Sequence, residues 1–238
     1  MPIASPRGRR PTVAALIALT VVTGLVDSVS YLRLGRVFVA NMTGNVVFLG
    51  FSVDRRSGLS AIASLVALAG FALGAFAGGR MASSLAVRPG RWLGSAFGAE
   101  AVIFAVVAIL TATGTMPLSG QGDLVTIATM AIGMGIQNST VRHFGVADLS
   151  TTVLSLTFTG LLADSALAGG TGARAHRRLG SMLAMLAGAA LGAWLLQDSP
   201  SGVIAIAAVV SAAVGAVFMT GETGTVPVTP VHFAPSPA

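Results

Sequence analysis

No cysteine and no lysine occur in the 238 residues. The first absence removes disulfides, thiolate metal sites, iron–sulfur clusters and a cysteine nucleophile together. The second removes the lysine of a phosphate-binding loop, and with it ATP-driven transport by this chain alone. Charged residues make up only 9% of the chain, against roughly 25% in soluble domains. Aromatics are equally scarce at 6%, so the fourteen arginines behind the net charge of +6 have few stacking partners. Nucleic-acid binding needs a basic face with aromatics or a recognised motif, so nucleic acid is excluded as a partner. His143, His176 and His232 are the three histidines, too scattered for a ligand set. Neither a metal nor another cofactor is expected. No Gly-x-Ser-x-Gly elbow or nucleophile–base arrangement is visible, and the chain is read as no enzyme.

What the chain does have is apolar length. Hydrophobic residues make up 54%, with a mean hydropathy of +0.84. The expected fold class is all-α, a polytopic transmembrane helix bundle with six to eight membrane segments and no β-sheet. Its solvent is the lipid bilayer, and the expected location is the bacterial plasma (inner) membrane, crossed several times. Candidate spans are Thr12–Leu32, Val37–Val53, Leu59–Gly79, Trp92–Thr113, Leu124–Val141, Leu149–Leu167, Leu179–Leu196 and Val203–Met219. The second and sixth are the shortest or most polar. Pro89, Pro117 and Pro200 are read as connector residues. Residues 1–11 form a cytoplasmic N-terminal segment, 12–220 a single transmembrane domain, and 221–238 a Pro-rich tail expected to be disordered.

Two halves correspond in order, about 12–113 and about 124–219. Gly24 matches Gly135, and Asp27-Ser28 matches Asn138-Ser139, at an offset of about 111 residues. A polar segment follows each match, then two ordinary apolar spans, the pattern of a transporter repeat. If all eight candidates cross, eight of the fourteen arginines face the cytoplasm. If the second and sixth are re-entrant, ten do. The positive-inside rule favours the second arrangement, with six crossings and inverted halves. Small residues recur every four positions at Gly70/Gly74/Gly78, Gly94/Gly98 and Gly188/Gly192. Such faces let helices approach closely inside lipid. Intramolecular packing is the main reading, and a homodimer through these small-residue faces the alternative.

Two stretches resemble a known signature: Val26-Asp27-Ser28-Val29-Ser30-Tyr31-Leu32, and Val37 to Val47 with Asn41-Met42-Thr43-Gly44-Asn45 at its centre. On these the chain is similar to the YoaK-type family of bacterial integral membrane proteins, carried as domain of unknown function 1275. The second half keeps the Gln137-Asn138 pair and Thr151-Thr152, but has Ser155-Leu156 where the family pattern has Thr-Gly. The resemblance implies a membrane location and a repeat pattern. It implies nothing about a substrate.

Polar groups inside spans are costly and mark cavities or partners. Asp27 lies in the first span, four residues before Tyr31 and on the same face; a structural pair with Arg33 or Arg36 is its plain alternative. Asn41, Thr43, Gly44 and Asn45 supply amide and hydroxyl groups beside a glycine that lets a broken helix expose its backbone. Glu100 lies deep in the fourth span. Gln137 and Asn138 stand where the first repeat has Asp27, and Thr151 and Thr152 complete the set. His143 and Asp164 are read as interfacial. The expected function is a secondary permease or exporter of an unidentified small solute. Its polar cavity would lie where Asn41–Asn45 meets Gln137-Asn138 and Thr151-Thr152, with Asp27 or Glu100 coupling protons. The rival is a non-transporting scaffold, assembly or regulatory protein. A channel is weakened by the lack of rings of like charge.

Overall fold

The computed structural model describes residues 9–85, 87–116, 118, 122–144, 154–165, 168–170 and 175–220. All regular structure among them is helical. The elements are α1 (Arg9–Arg33), α2 (Met42–Phe51), α3 (Ala61–Leu85), α4 (Pro89–Ala112), α5 (Gly122–Phe144), α6 (Leu154–Ala163), α7 (Ala175–Leu195) and α8 (Pro200–Met219). Six of them, all except α2 and α6, are long and apolar enough to cross a bilayer. With 10 residues each, α2 and α6 reach about 15 Å, roughly half of a hydrocarbon core.

The second expected span is therefore not one helix. Residues 34–41 form a loop, and helix begins only at Met42. Gly35 and Arg36 turn the chain with φ of 85° and 58°, a left-handed conformation that ends α1. In the sixth expected span, helix covers Leu154–Ala163, while residues 145–153 lie outside the described set, as do residues 1–8 and the tail from 221. Pro89 and Pro200 are not connector residues but the first residues of α4 and α8. A missing amide costs nothing there, and the fixed φ suits the helix start. Ser199 completes the second start, its Oγ accepting from the Gly202 amide at 3.0 Å. His143 belongs to the last turn of α5 rather than to a loop, with Nδ1 2.8 Å from the Ser139 carbonyl.

Three close helix pairs carry the bundle: α3 along α5, α4 along α8, and α1 along α7. Contacts of α4 with α5 and of α1 with α8 join them. Helices α1 and α5 are the most enclosed, α3 and α7 the least. Glycines set the spacing of two pairs. A Cβ at Gly24 would stand 2.5 Å from the Met185 carbonyl oxygen, and one at Gly188 would overlap the Val21 carbonyl. On the other pair, Gly135 lies against the Phe71 carbonyl and Gly74 against the Ile132 carbonyl. Gly192 and Gly78 lie over the hydroxyls of Ser28 and Ser139. The face carrying Gly70, Gly74 and Gly78 is thus covered by α5 of the same chain, as the intramolecular reading expects. Outward faces are apolar: Phe76, Val102, Ile109, Leu186 and Val209 are all exposed, as suits helices surrounded by lipid.

The buried apolar residues fall into two clusters stacked along the bundle. One includes Val22, Val26, Phe104, Val107, Met130, Met134, Val203 and Ala207. The other includes Leu16, Leu19, Trp92, Phe97, Val141, Val214 and Phe218.

Candidate functional site

Asp27 sits two turns before the end of α1, and the loop that follows the helix runs back to it. Its Oδ1 accepts from the backbone amides of Val39 at 3.0 Å and Ala40 at 2.9 Å. Its Oδ2 accepts from the Asn41 side-chain amide. The start of α2 follows at once, bringing the positive end of a helix close to the carboxylate. Asn45 secures the same loop from the far side. Its Oδ1 accepts from the Phe38 amide at 2.9 Å, and its Nδ2 donates to the Phe38 carbonyl at 2.5 Å. Gly44 is required because a Cβ would stand 2.7 Å from the Phe38 ring. That ring stacks between Tyr31 and Phe48, at centroid distances of 5.2 and 5.6 Å. Thr43 is exposed. This cluster is a clip: its polar atoms are spent on one another and on backbone.

Neither arginine expected beside Asp27 is its partner. Arg33 donates instead to the Leu196 carbonyl at 2.9 Å, beyond the end of α7. Gln137 takes Thr23 of α1 as its partner rather than a side chain of the clip, and α2 lies mainly along α3. Thr151 and Thr152 lie outside the described residues. Asp164 is exposed, as expected, and pairs with Arg178 at 2.7 Å. Arg178 also donates to the Gly160 carbonyl, fastening the end of α6 to α7.

Glu100 and Gln137 belong to a different constellation. On each of four helices, buried polar residues stand where one apolar cluster gives way to the other. Thr20 and Thr23 do so on α1, Glu100 on α4, Gln137 and Thr140 on α5, and Ser211 on α8. Gln137 Nε2 donates to Thr23 Oγ1 at 3.1 Å, joining α5 to α1. Ser211 on α8 faces the Glu100 carboxyl on α4. Gly133 on α5 faces the Phe104 ring. One turn further along these antiparallel helices, Gln137 and Glu100 come level. Asn138, half-buried on the next face, donates to the Met134 carbonyl at 2.9 Å.

This layer is under-satisfied. Both Glu100 carboxyl oxygens, Gln137 Oε1, Thr140 Oγ1 and Ser211 Oγ are buried with no partner at hydrogen-bond geometry among the described residues. Each such atom costs about 1–3 kcal/mol, and clusters of them point to a ligand or a mechanism. Ser64, Trp92, Thr111 and Ser181 carry similar atoms nearer the ends of their helices. Sequence reasoning found Glu100 and Gln137 but missed Thr23, Thr140 and Ser211, which are small hydroxyl residues common in membrane helices. The signal that could have found Thr23 and Ser211 is their level, within a turn of the midpoint of α1 and α8.

The chain was compared with known proteins. A family model described as "Protein of unknown function (DUF1275)" matches residues 15–217. The UPF0700 transmembrane protein YoaK of Bacillus subtilis (strain 168) is 36% identical over 159 residues, which is 65% of this chain and 67% of that protein. No solved structure matches.

Proposed function

From the premise that the chain belongs to the DUF1275 family of multi-pass bacterial membrane proteins, we propose that it is a secondary permease or exporter of a small solute. The observation that carries this reading is the mid-depth layer of buried polar residues on α1, α4, α5 and α8, whose unpartnered atoms lie on α4, α5 and α8. Transporters keep such groups near the bilayer midplane, where repeats meet. The solute's site is this layer, with Gln137 and Thr23 at its centre. The Asp27–Asn41–Asn45 clip is the support of the broken segment beside it.

A duplicated, inverted architecture supports the reading. Gly24 meets α7 as Gly135 meets α3, and Gly188 meets Val21 as Gly74 meets Ile132. The contacts of α1 with α8 and of α4 with α5 correspond in the same way, as do those of α2 with α3 and of α6 with α7. Each half holds three long helices and one half-length helix. An odd number of crossings makes the halves inverted, with α2 and α6 re-entrant from opposite sides.

Single cysteines at Ser57, Ser84 and Ala175 test the topology in this cysteine-free chain. In intact cells a membrane-impermeant maleimide is expected to label the Ser57 position and neither of the others. Labelling at Ser84 but not Ser57 would remove the inverted arrangement.

Gln137→Leu tests the site. The change keeps approximate size in an apolar setting but deletes the amide that reaches Thr23. Loss of one site hydrogen bond is expected to slow transport about tenfold, the equivalent of about 1.4 kcal/mol. Cells overproducing the wild type are expected to change their sensitivity to at least one member of a panel of toxic small solutes. The variant, made in equal amount, should lose that change. Profiles identical for wild type and empty vector across the panel would sink the permease reading. The second reading, a non-transporting scaffold, draws on an apolar groove of ≈ 430 Å³ along the outer seam of α4 and α8, lined by Gly98, Ala101, Ala105 and Ala212.

A further inference from the structure

Among the members of the mid-depth layer, Glu100 alone can carry a charge. It stands near the centre of α4, fully buried. Phe97 and Phe104, buried on the same helix, enclose it one turn to either side. The polar group facing it is the Ser211 hydroxyl of α8, and the orphaned Gln137 Oε1 on α5 lies level with it.

Among the described residues no positive charge answers it. Helices α3, α5 and α8 pack against α4. Their charged residues are Arg80 on α3 and Asp123, Arg142 and His143 on α5, all toward helix ends, and α8 has none. Arg80, Arg142 and His143 are exposed, as is Arg91 in the first turn of α4. An ionised carboxylate buried without a counter-charge is strongly disfavoured. A cation held in the layer would remove that penalty. The proton is the cation that fits a packed layer best, since it needs no cage of ligands. A protonated carboxyl also becomes a donor, and the Ser211 Oγ that faces it is an acceptor.

We propose that Glu100 is the proton-binding site of this protein, loading and unloading one proton in each transport cycle. This rests on the permease reading for its purpose. Loading adds a proton to one Glu100 oxygen to give the carboxylic acid. Unloading returns the carboxylate when the layer opens to water, and no other bond changes. Coupling follows from the placement of the proton in the same buried layer as Gln137, so that proton loading and solute binding act on one set of polar groups.

The test uses the proton itself as probe. Acid-minus-alkaline infrared difference spectra would be recorded on the purified full chain in liposomes, in water and deuterium oxide. The wild type is expected to show a carboxylic C=O band that shifts on deuteration. Glu100→Gln should lack it, and Ser211→Ala should move its frequency, which keeps the test available if the first variant does not fold. A band unchanged in Glu100→Gln belongs to another carboxyl and overturns the proposal. A band abolished by exchanging choline for sodium would also overturn it, because sodium would then be the bound cation. No solute is needed for this measurement. The expected spectra from a chain that moves no solute would therefore sink the permease reading alone, and solute transport without the band would sink the proton site alone.

Discussion

Gly74→Leu is expected to abolish accumulation of folded protein, whereas Gly98→Ala leaves it unchanged. At Gly74 the neighbour is the Ile132 carbonyl of α5, and across the contact Gly135 meets the Phe71 carbonyl of α3. Backbone therefore faces backbone, and no rotamer change can make room. Overpacking costs about 1–3 kcal/mol even where side chains can shift, and more where they cannot. Separating α3 from α5 would also surrender the dispersion contact that holds helices together in lipid. A domain stable by roughly 5–15 kcal/mol does not withstand that loss safely. At Gly98 an added Cβ meets nothing within 4 Å, and alanine gains about 1 kcal/mol of helix propensity. Size-exclusion profiles of detergent extracts, with melting temperatures, would compare the two. A normal monodisperse peak for Gly74→Leu would mean that α3 and α5 do not meet on this face.

Removing the Asp27 carboxylate should loosen the segment before α2 without unfolding the bundle. In Asp27→Ala the amides of Val39 and Ala40 and the side chain of Asn41 lose their acceptor. At about 1–3 kcal/mol for each of three unsatisfied donors, the loss is on the order of 3–9 kcal/mol, concentrated in residues 34–45. Asp27→Asn should be milder, because one amide oxygen remains to accept. Trypsin reads the difference at Arg36, which lies in the reversal between α1 and the clip. Cleavage there should rise in the order wild type, Asp27→Asn, Asp27→Ala, while α3 to α8 remain protected. Equal cleavage rates would show that the carboxylate does not hold the loop.

The long helices could be read from the sequence because a spanning segment is specified by local apolar length alone. So could the glycine faces, whose four-residue spacing is a property of one helix. The doubt over Val37–Val53 was equally legible, but its resolution was not. Whether residues 34–41 cross or double back depends on hydrogen bonds to Asp27, twelve to fourteen residues away. Reading Asp27 as a partner of Arg33 failed for the same reason. Backbone amides, which have no letter in a sequence, took the carboxylate. The polar layer was only half visible. Glu100 stands out in any apolar span, whereas Ser211 in a run of alanine and valine acquires meaning only through the residue that faces it.

The two sets of polar contacts also differ in when they can form. Every partner of Asp27 lies within 14 residues of it in the chain, so the carboxylate can be hydrogen-bonded while the nascent chain is still short. Thr23 must wait for Gln137, 114 residues later, after four of the helices have already entered the membrane. The order of synthesis thus separates a first loop that can be inserted with Asp27 already satisfied from a centre that gains Gln137 with α5 and Ser211 only with α8. Until then the Thr23 hydroxyl has only the Leu19 carbonyl of its own helix, and assembly of the protein ends where its proposed chemistry begins.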